Sequence, residues 1–283
     1  MNEETTLINW YPGHMAKAMK DIKNNATLAD IFVIVLDARC PISSYNEDFD
    51  SISPQKNRLF IITKSDLMDE TKKQMIQKRF SNGKVLWLDL RKQNSRKIIL
   101  NEIKKISAAK VAKAKEKGLL GAKIKLFVMG VPNAGKSTLI NLMSQKNSLK
   151  VANFPGVTRE KKWVTVDNYY FMDTPGILLP KMDDQEAATK LAMIGSIETK
   201  IFPLRFLFNS FLKVIAKYYP NLFSKEYGLD ESELIDLDEY KMHNILTKMA
   251  YLKGFMINNK FDFNKTYNHF INWVKNLKGV TFD

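Results

Sequence analysis

The sequence predicts an α/β domain, a mainly parallel sheet with helices on both faces, followed by a smaller, mainly α-helical domain. Three observations predict it. Ile31-Phe32-Val33-Ile34-Val35-Leu36, Leu59-Phe60-Ile61-Ile62 and Val85-Leu86-Trp87-Leu88 are continuous apolar runs separated by helical patterns, the habit of parallel strands buried on both faces. A glycine-rich turn, Gly130-Val131-Pro132-Asn133-Ala134-Gly135-Lys136-Ser137-Thr138, joins the apolar run Ile124-Lys125-Leu126-Phe127-Val128-Met129 to a helix-like stretch beginning at Thr138. After Lys181 strand signals stop, and apolar residues recur at helical spacing over 187–197, 204–219, 234–252 and 266–277. The domain boundary is placed near Met182, which gives domains over 1–182 and 183–283.

Taken in order, Trp10-Tyr11-Pro12-Gly13-His14 is a turn leading into a lysine-bearing helix that runs toward Ala29. The first apolar run then ends at Asp37-Ala38-Arg39, the second at Thr63-Lys64-Ser65-Asp66-Leu67 and the third at Asp89-Leu90-Arg91. Lys104 to Lys117, dense in Lys and Ala, is a solvated helix or linker whose lysines belong to the surface. Beyond the glycine-rich turn come Asn153-Phe154-Pro155-Gly156-Val157-Thr158-Arg159, a strand at Trp163-Val164-Thr165-Val166, and a second at Tyr169-Tyr170-Phe171-Met172 that ends in Asp173-Thr174-Pro175-Gly176.

Composition narrows the class. With 283 residues, 45% hydrophobic, the chain can bury one large core or two smaller ones. No apolar run approaches the ~20 residues that cross a bilayer, and Met1-Asn2-Glu3-Glu4-Thr5-Thr6 lacks the basic start and apolar block of a secretory signal, so a cytoplasmic protein is expected. A single cysteine, Cys40, excludes an intramolecular disulfide and any cysteine-built zinc site. The net charge of +14 favours phosphate backbones as partners, although the Lys, Asn, Ile and Phe content also fits the drift of an AT-rich genome.

The glycine-rich turn fits G-x-x-x-x-G-K-[ST], the phosphate-binding loop, with the strand before and the helix after that the motif requires. Its backbone N–H groups, through Ala134, Gly135 and Thr138, would surround phosphate oxygens, Lys136 would reach the β- and γ-phosphates, and the Ser137 hydroxyl would ligate Mg²⁺. Asp173 sits at a strand end where it could hold the same Mg²⁺ through water, with Thr158 as a second ligand and the Gly176 N–H facing the γ-phosphate. Thr63-Lys64-Ser65-Asp66 resembles the N-K-x-D element of GTP-binding proteins. Asp66 would accept from N1 and N2 of guanine, a pairing that adenine cannot make, while the Lys64 stem covers the base. Thr63 replaces the usual Asn and loses an amide that ties the loop together, though a hydroxyl can still make one bond.

The base-reading element precedes the phosphate loop, so the sequence looks like a circularly permuted GTPase with motif order four, five, one, two, three. Tyr11-Pro12-Gly13-His14-Met15-Ala16-Lys17-Ala18, Asp37-Ala38-Arg39-Cys40-Pro41, Gly156-Val157-Thr158 and Lys190-Leu191-Ala192 closely resemble the RbgA/YlqF family of circularly permuted ribosome-biogenesis GTPases, and the likeness extends more loosely to Trp273–Phe282. The resemblance implies a GTPase that binds the precursor of the large ribosomal subunit late in assembly and leaves after hydrolysis, with the second domain on rRNA. The protein is expected to be a monomer. Alternatives are another RNA client (the small subunit or tRNA), a GTP-gated RNA-binding scaffold with negligible hydrolysis, and an ATPase.

The resemblance also bears on single residues. The fifth element, usually Ser-Ala-Lys, is degraded and falls by position at Leu88-Asp89-Leu90, where backbone N–H groups can still face guanine; Ser107-Ala108 is a decoy inside the Lys/Ala helix. Ile177 stands where many GTPases carry a water-orienting Gln, and a hydrophobic side chain cannot align water. In the family a histidine that maps to His14 takes that role; otherwise His14 is an ordinary loop histidine or an RNA contact. Asn133 resembles the asparagine of potassium-activated GTPases that helps hold K⁺, and is equally a turn former. Lys213, Lys217, Lys248, Lys253, Lys275 and Lys278 are candidate phosphate contacts. Tyr218, Tyr219, Phe261 and Trp273 could stack on bases, but their helical spacing favours core, and Glu231, Glu233, Asp236, Asp238 and Glu239 read as an acidic face turned from RNA.

Overall fold

The computed structural model describes residues 7–8, 13–119, 121–144, 163–178 and 184–283, without the side chain of His14. The Pro-Gly turn before Gly13, Thr158 with its flanking segment, and the boundary at Met182 lie outside the described residues. The chain divides into two compact units: the described residues of Tyr11–Lys181 with Asp283, and those of Met1–Trp10 and Met182–Phe282. Ile8 belongs to the second unit, where its N–H donates to Gln185 Oε1 at 2.8 Å.

The first unit runs α1 (Gly13–Asn25), β1 (Ile31–Asp37), α2 (Asp48–Ser51), β2 (Asn57–Thr63), α3 (Lys73–Arg79), β3 (Lys84–Leu88), α4 (Asn94–Glu116), β4 (Ile124–Met129), α5 (Lys136–Ser144), β5 (Trp163–Val166) and β6 (Tyr169–Asp173). The strands form one sheet in the order β3-β2-β1-β4-β6-β5, parallel throughout except for β5 against β6. Each apolar run of the sequence is a strand. β1 is buried at all seven residues, with Ile34 paired to Phe60 on β2 and to Met129 on β4. Phe32, Ile34 and Leu36 share one core with Ala18, Met19 and Ile22 of α1, Ile76 of α3 and Phe80, while Ile31, Val33 and Val35 on the opposite face are equally buried. Both faces are therefore covered, as a parallel sheet requires. Phe127 bridges the middle of this core, edge-on to Phe32 at 6.0 Å and to Trp163 at 5.8 Å.

The Lys/Ala stretch is the second half of α4. Ser95, Ile99, Ile103 and Ser107, four residues apart, form its buried stripe, and the lysines fill the remaining surface. Cys40 is buried. The strand order reverses at β1, which has β2 and β3 on one side and β4 and β6 on the other. In an open parallel sheet that reversal leaves a crevice beyond the carboxyl ends of the strands.

The second unit contains α6 (Gln185–Met193), α7 (Leu204–Tyr218), α8 (Pro220–Tyr227), α9 (Glu239–Leu252) and α10 (Phe263–Lys275). Aspartates accept from backbone N–H groups at three helix starts, Asp184 for α6, Asp238 for α9 and Asp262 for α10. A hairpin of two-residue strands, β7 (Met256–Ile257) and β8 (Lys260–Phe261), interrupts the helical pattern. Its turn residues Asn258 and Asn259 both take positive φ, 48° and 60°, the conformation of a two-residue hairpin turn. No helix among the described residues is long and apolar enough to cross a membrane.

Candidate nucleotide site

Every functional loop found in the sequence that the structure describes follows the carboxyl end of a parallel strand. Asp37 ends β1, Thr63 ends β2 and opens the base-reading loop, Leu88 ends β3 ahead of Asp89, the phosphate loop follows β4, and Asp173 ends β6. Sheet topology thus gathers segments that lie more than a hundred residues apart in the chain.

The phosphate loop wraps back on β1. At Gly130, with φ of 149°, an added Cβ would meet the Val35 carbonyl oxygen at 2.3 Å, so only glycine fits. Gly176 has the same constraint from the other side, because a Cβ there would stand 2.7 Å from Pro132 N. Thr174 donates to Val128 O at 2.7 Å and the Ile177 N–H to Gly130 O at 3.1 Å, which fastens the Asp173–Gly176 turn to the phosphate loop. The Ile177 side chain is fully buried. Lys136 opens α5, whose first-turn N–H groups are the orphan donors of a helix start, and Ser137 and Thr138 are exposed there. The Lys136 ammonium is buried and donates to two neutral carbonyls, Gly130 O at 3.1 Å and Val131 O at 2.8 Å. Burial pushes its pKa down to about 8, against the pull of Asp173. Partial desolvation in turn lifts the Asp173 carboxyl above the ordinary range, with Lys136 opposing. Asn133 takes a φ of 59°, a left-handed turn conformation that asparagine tolerates.

The base-reading loop is bound to the phosphate loop. The Thr63 hydroxyl lies 2.6 Å from Ala134 O and 3.0 Å from Leu36 O, so the threonine in the place of asparagine still joins the two loops. Lys64, held at a φ of 56°, donates to Asn133 O at 2.8 Å and to Asp37 Oδ2 at 2.6 Å. A left-handed lysine costs on the order of 1–3 kcal/mol and persists where its surroundings dictate it. Asp37 is completely buried; burial pushes its carboxyl up, but Arg39 and Lys64 outweigh that and hold it below the ordinary carboxylate range. A short 3-10 turn, Ser65–Leu67, presents Asp66, and Asp66 Oδ2 accepts from Arg91 Nη2 at 2.6 Å. Asp89 accepts from the Arg91 backbone and guanidinium and is held low by it. Leu90 and Thr63 come within 3.6 Å of where a Cβ on Gly135 would lie, so the segment after β3 adjoins both loops.

Thr63, Lys64, Asp66, Leu88, Asp89 and the residues 133–138, 173 and 176 therefore all lie at or just beyond the carboxyl ends of β2, β3, β4 and β6. The His14 side chain and Thr158 lie outside the described residues. Sequence reasoning did not single out Asp37 and Arg91, which bond directly to Lys64 and Asp66; a charged residue closing a fully apolar strand was the signal for Asp37. A hydroxyl at Ser137 and a carboxylate at Asp173 are oxygen donors suited to a hard cation such as Mg²⁺. No group of three or more His, Cys, Asp or Glu able to hold a metal occurs among the described residues.

In the helical unit most of the candidate phosphate-contacting lysines have partners. Lys217 pairs with Glu186 at 2.6 Å, Lys253 with Glu226 at 2.8 Å and Lys248 with Glu233, and Lys275 donates to Thr199 at 2.9 Å. Four of the six candidate phosphate-contacting lysines are thus bonded within the unit, whereas Lys213 and Lys278 are exposed. The acidic run is not a bare face either, since Glu239 pairs with Arg205 and Asp238 caps α9. Tyr219 is core, its hydroxyl donating to Thr281 O and accepting from Thr281 N, and Trp273 stacks on Phe270. Tyr218 donates to Glu186 at 2.7 Å and Phe261 lies beside Phe263.

A mainly parallel sheet with a phosphate loop at its reversal point, and a base-reading loop on a strand earlier in the chain, defines a circularly permuted P-loop GTPase, a GTP hydrolase. The family model described as 50S ribosome-binding GTPase matches residues 125–240. Ribosome biogenesis GTPase A of Bacillus cereus is 34% identical over 228 residues, covering 80% of this chain and 77% of its own, and the probable ribosome biogenesis GTPase A of Mycoplasma genitalium is 30% identical over 274 residues, covering 96% and 94%. The chain belongs to the ribosome biogenesis GTPase A family. The solved structure of GNP-bound YlqF from T. maritima shares its fold, with a TM-score of 0.61 at 21% identity over 94% of this chain and 97% of that one.

Proposed function

We propose that this GTPase acts in the cytoplasm on the precursor of the large ribosomal subunit, promotes a late assembly step and is released after GTP hydrolysis. The ribosomal client is supported by family membership and by the net charge of +14, which attracts the chain to RNA phosphates. The observation that carries the nucleotide reading is the pair of ties, Thr63 to Ala134 and Lys64 to Asn133, that join base loop to phosphate loop. In this reading Asp66 accepts from guanine N1 and N2, the Lys64 stem covers the base, and backbone N–H groups at Leu88 and Asp89 face its edge. Residues 133–138 surround the phosphates, with Lys136 at the β- and γ-phosphates and the Gly176 N–H at the γ-phosphate. Ser137, Thr158 and Asp173 would hold Mg²⁺, which when bound offsets the charge developing on the phosphoryl oxygens. Asn133 would hold K⁺ in the same role. With Ile177 buried in the core, alignment of the attacking water falls to His14. The residues after 182 form the rRNA-binding part of a monomer.

GTP turnover of the full chain, measured with purified large and small subunits in potassium and in sodium buffer, tests this. Large subunits are expected to raise the rate at least on the order of tenfold, more in K⁺ than in Na⁺, and small subunits are not. No response to large subunits removes the client, and equal rates in the two salts remove the K⁺ site.

A further inference from the structure

We propose that Arg91 reads guanine together with Asp66, its guanidinium donating to the O6 carbonyl. The proposal rests on the reading in which Asp66 accepts from N1 and N2.

Arg91 follows the buried Leu90 just after β3. Asp89 grips its side edge, taking Nε on Oδ1 at 2.9 Å and Nη2 on Oδ2 at 3.1 Å, and the Arg91 backbone N–H also donates to Oδ1 at 3.0 Å. This bidentate clamp fixes the plane of the guanidinium. The second hydrogen of Nη2 lies on the adjoining end edge, where it meets Asp66 Oδ2 at 2.6 Å. The rigid fork then places an Nη1 hydrogen on that same edge, beside the Asp66 carboxylate. The side chain is 72% exposed, so this edge is within reach of a ligand.

The array matches one purine. Along its pairing edge guanine offers two donors, N2–H and N1–H, and then one acceptor, O6. Asp66 supplies two acceptors, and the next place in line needs a donor, which is where Arg91 holds one. Adenine has an acceptor at N1 and a donor on the exocyclic nitrogen that replaces O6, so it is mismatched at both. The ion pair does not compete with the base, because a carboxylate oxygen that accepts from Arg91 retains a lone pair for a second donor. A side-chain donor after β3 also supplies what the degraded fifth element leaves to backbone N–H groups alone.

The test is equilibrium binding of GTP, ITP, ATP and 6-thio-GTP to the full chain, to Arg91→Ala and to Arg91→Lys. ITP lacks the N2 amine and probes Asp66. 6-Thio-GTP keeps both donors but replaces O6 with sulfur, a weak acceptor. The unaltered chain should prefer GTP to ITP and to 6-thio-GTP. Arg91→Ala should lose GTP affinity on the order of tenfold and bind GTP and 6-thio-GTP alike, with Arg91→Lys between the two. Arg91 is exposed and the Asp89 cap on its backbone remains, so the alanine variant is expected to fold. Unchanged GTP affinity in Arg91→Ala, or an unchanged preference for GTP over 6-thio-GTP, overturns the role of Arg91 while leaving that of Asp66 intact. Equal binding of GTP, ITP and ATP by the unaltered chain overturns the base reading and this inference with it.

Discussion

The two halves of the nucleotide site carry their charge differently. In the base half Arg39, Lys64 and Arg91 each have a carboxylate: Arg39 and Lys64 share Asp37, and Arg91 spans Asp89 and Asp66. In the phosphate half Lys136 is buried against neutral carbonyls with its pKa pushed down to about 8. The base half thus holds its binding geometry through ion pairs internal to the protein, at the small cost of a left-handed Lys64. There the desolvation of Lys136 outweighs the pull of Asp173, and a further anion beside the ammonium would offset it. A triphosphate supplies that charge, so binding energy should concentrate there and selectivity should reside in the base half.

The strongest way to break this contrast is Lys136→Met. Removing the ammonium should weaken GTP and GDP on the order of a hundredfold or more, because charge-assisted bonds from a buried ammonium to phosphate are lost. Thermal stability of the nucleotide-free protein should not fall, since the desolvation of the buried ammonium outweighs the pull of Asp173, and an apolar chain of similar length avoids that cost. Titration of both nucleotides, with melting curves of the free protein, checks it. Binding within tenfold of the unaltered protein, or a clear loss of stability, would refute the assignment of charge imbalance to Lys136.

What could be read in the sequence follows the same division. The phosphate loop is contiguous, so its residues declare themselves by spacing, and β1, β2 and β3 do so by their continuous apolar runs, with Lys125 the one interruption in β4. Asp66 was legible because Lys-x-Asp follows a strand. Its bond to Arg91 was not, because those residues stand 25 apart and meet only once β2 and β3 lie side by side. The Asp37–Lys64 pair, 27 apart, depends in the same way on β1 beside β2. In the helical unit, periodicity marked the core faces but not which lysine meets which carboxylate. The β7–β8 hairpin escaped because two residues are too few to show alternation, although Asn258-Asn259 carried its turn signal.

A smaller effect sharpens the contrast through pH. The Lys136 pKa of about 8 lies below its ordinary 10.5, and phosphate oxygens beside it should raise it again. Binding therefore takes up a proton wherever free Lys136 is partly neutral. Affinity should be flat below about pH 7 and fall several-fold between about pH 7.5 and 9. The sign for stability is opposite. Between about pH 8 and 10.5 the unfolded chain holds more protons on this group than the folded one, so its contribution to nucleotide-free stability rises with pH. Calorimetry at pH 8.5 in two buffers of different ionisation enthalpy should detect the uptake, and Lys136→Met should abolish it.

The smallest expected effect tests whether the two halves are joined where the structure joins them. Thr63 has one hydroxyl hydrogen and two carbonyl oxygens near it, Ala134 O at 2.6 Å and Leu36 O at 3.0 Å, and the shorter bond lies on the phosphate loop. Thr63→Val keeps the branched shape and removes the donor. A neutral bond of this kind contributes about 0.5–1.5 kcal/mol, so GTP affinity should fall on the order of fivefold. The preference for GTP over ITP should stay the same, because Asp66 and Arg91 are not touched. If Thr63→Val altered that preference as much as the affinity, Thr63 would be setting the geometry of the base loop itself, and base recognition could no longer be treated as independent of the tie to Ala134.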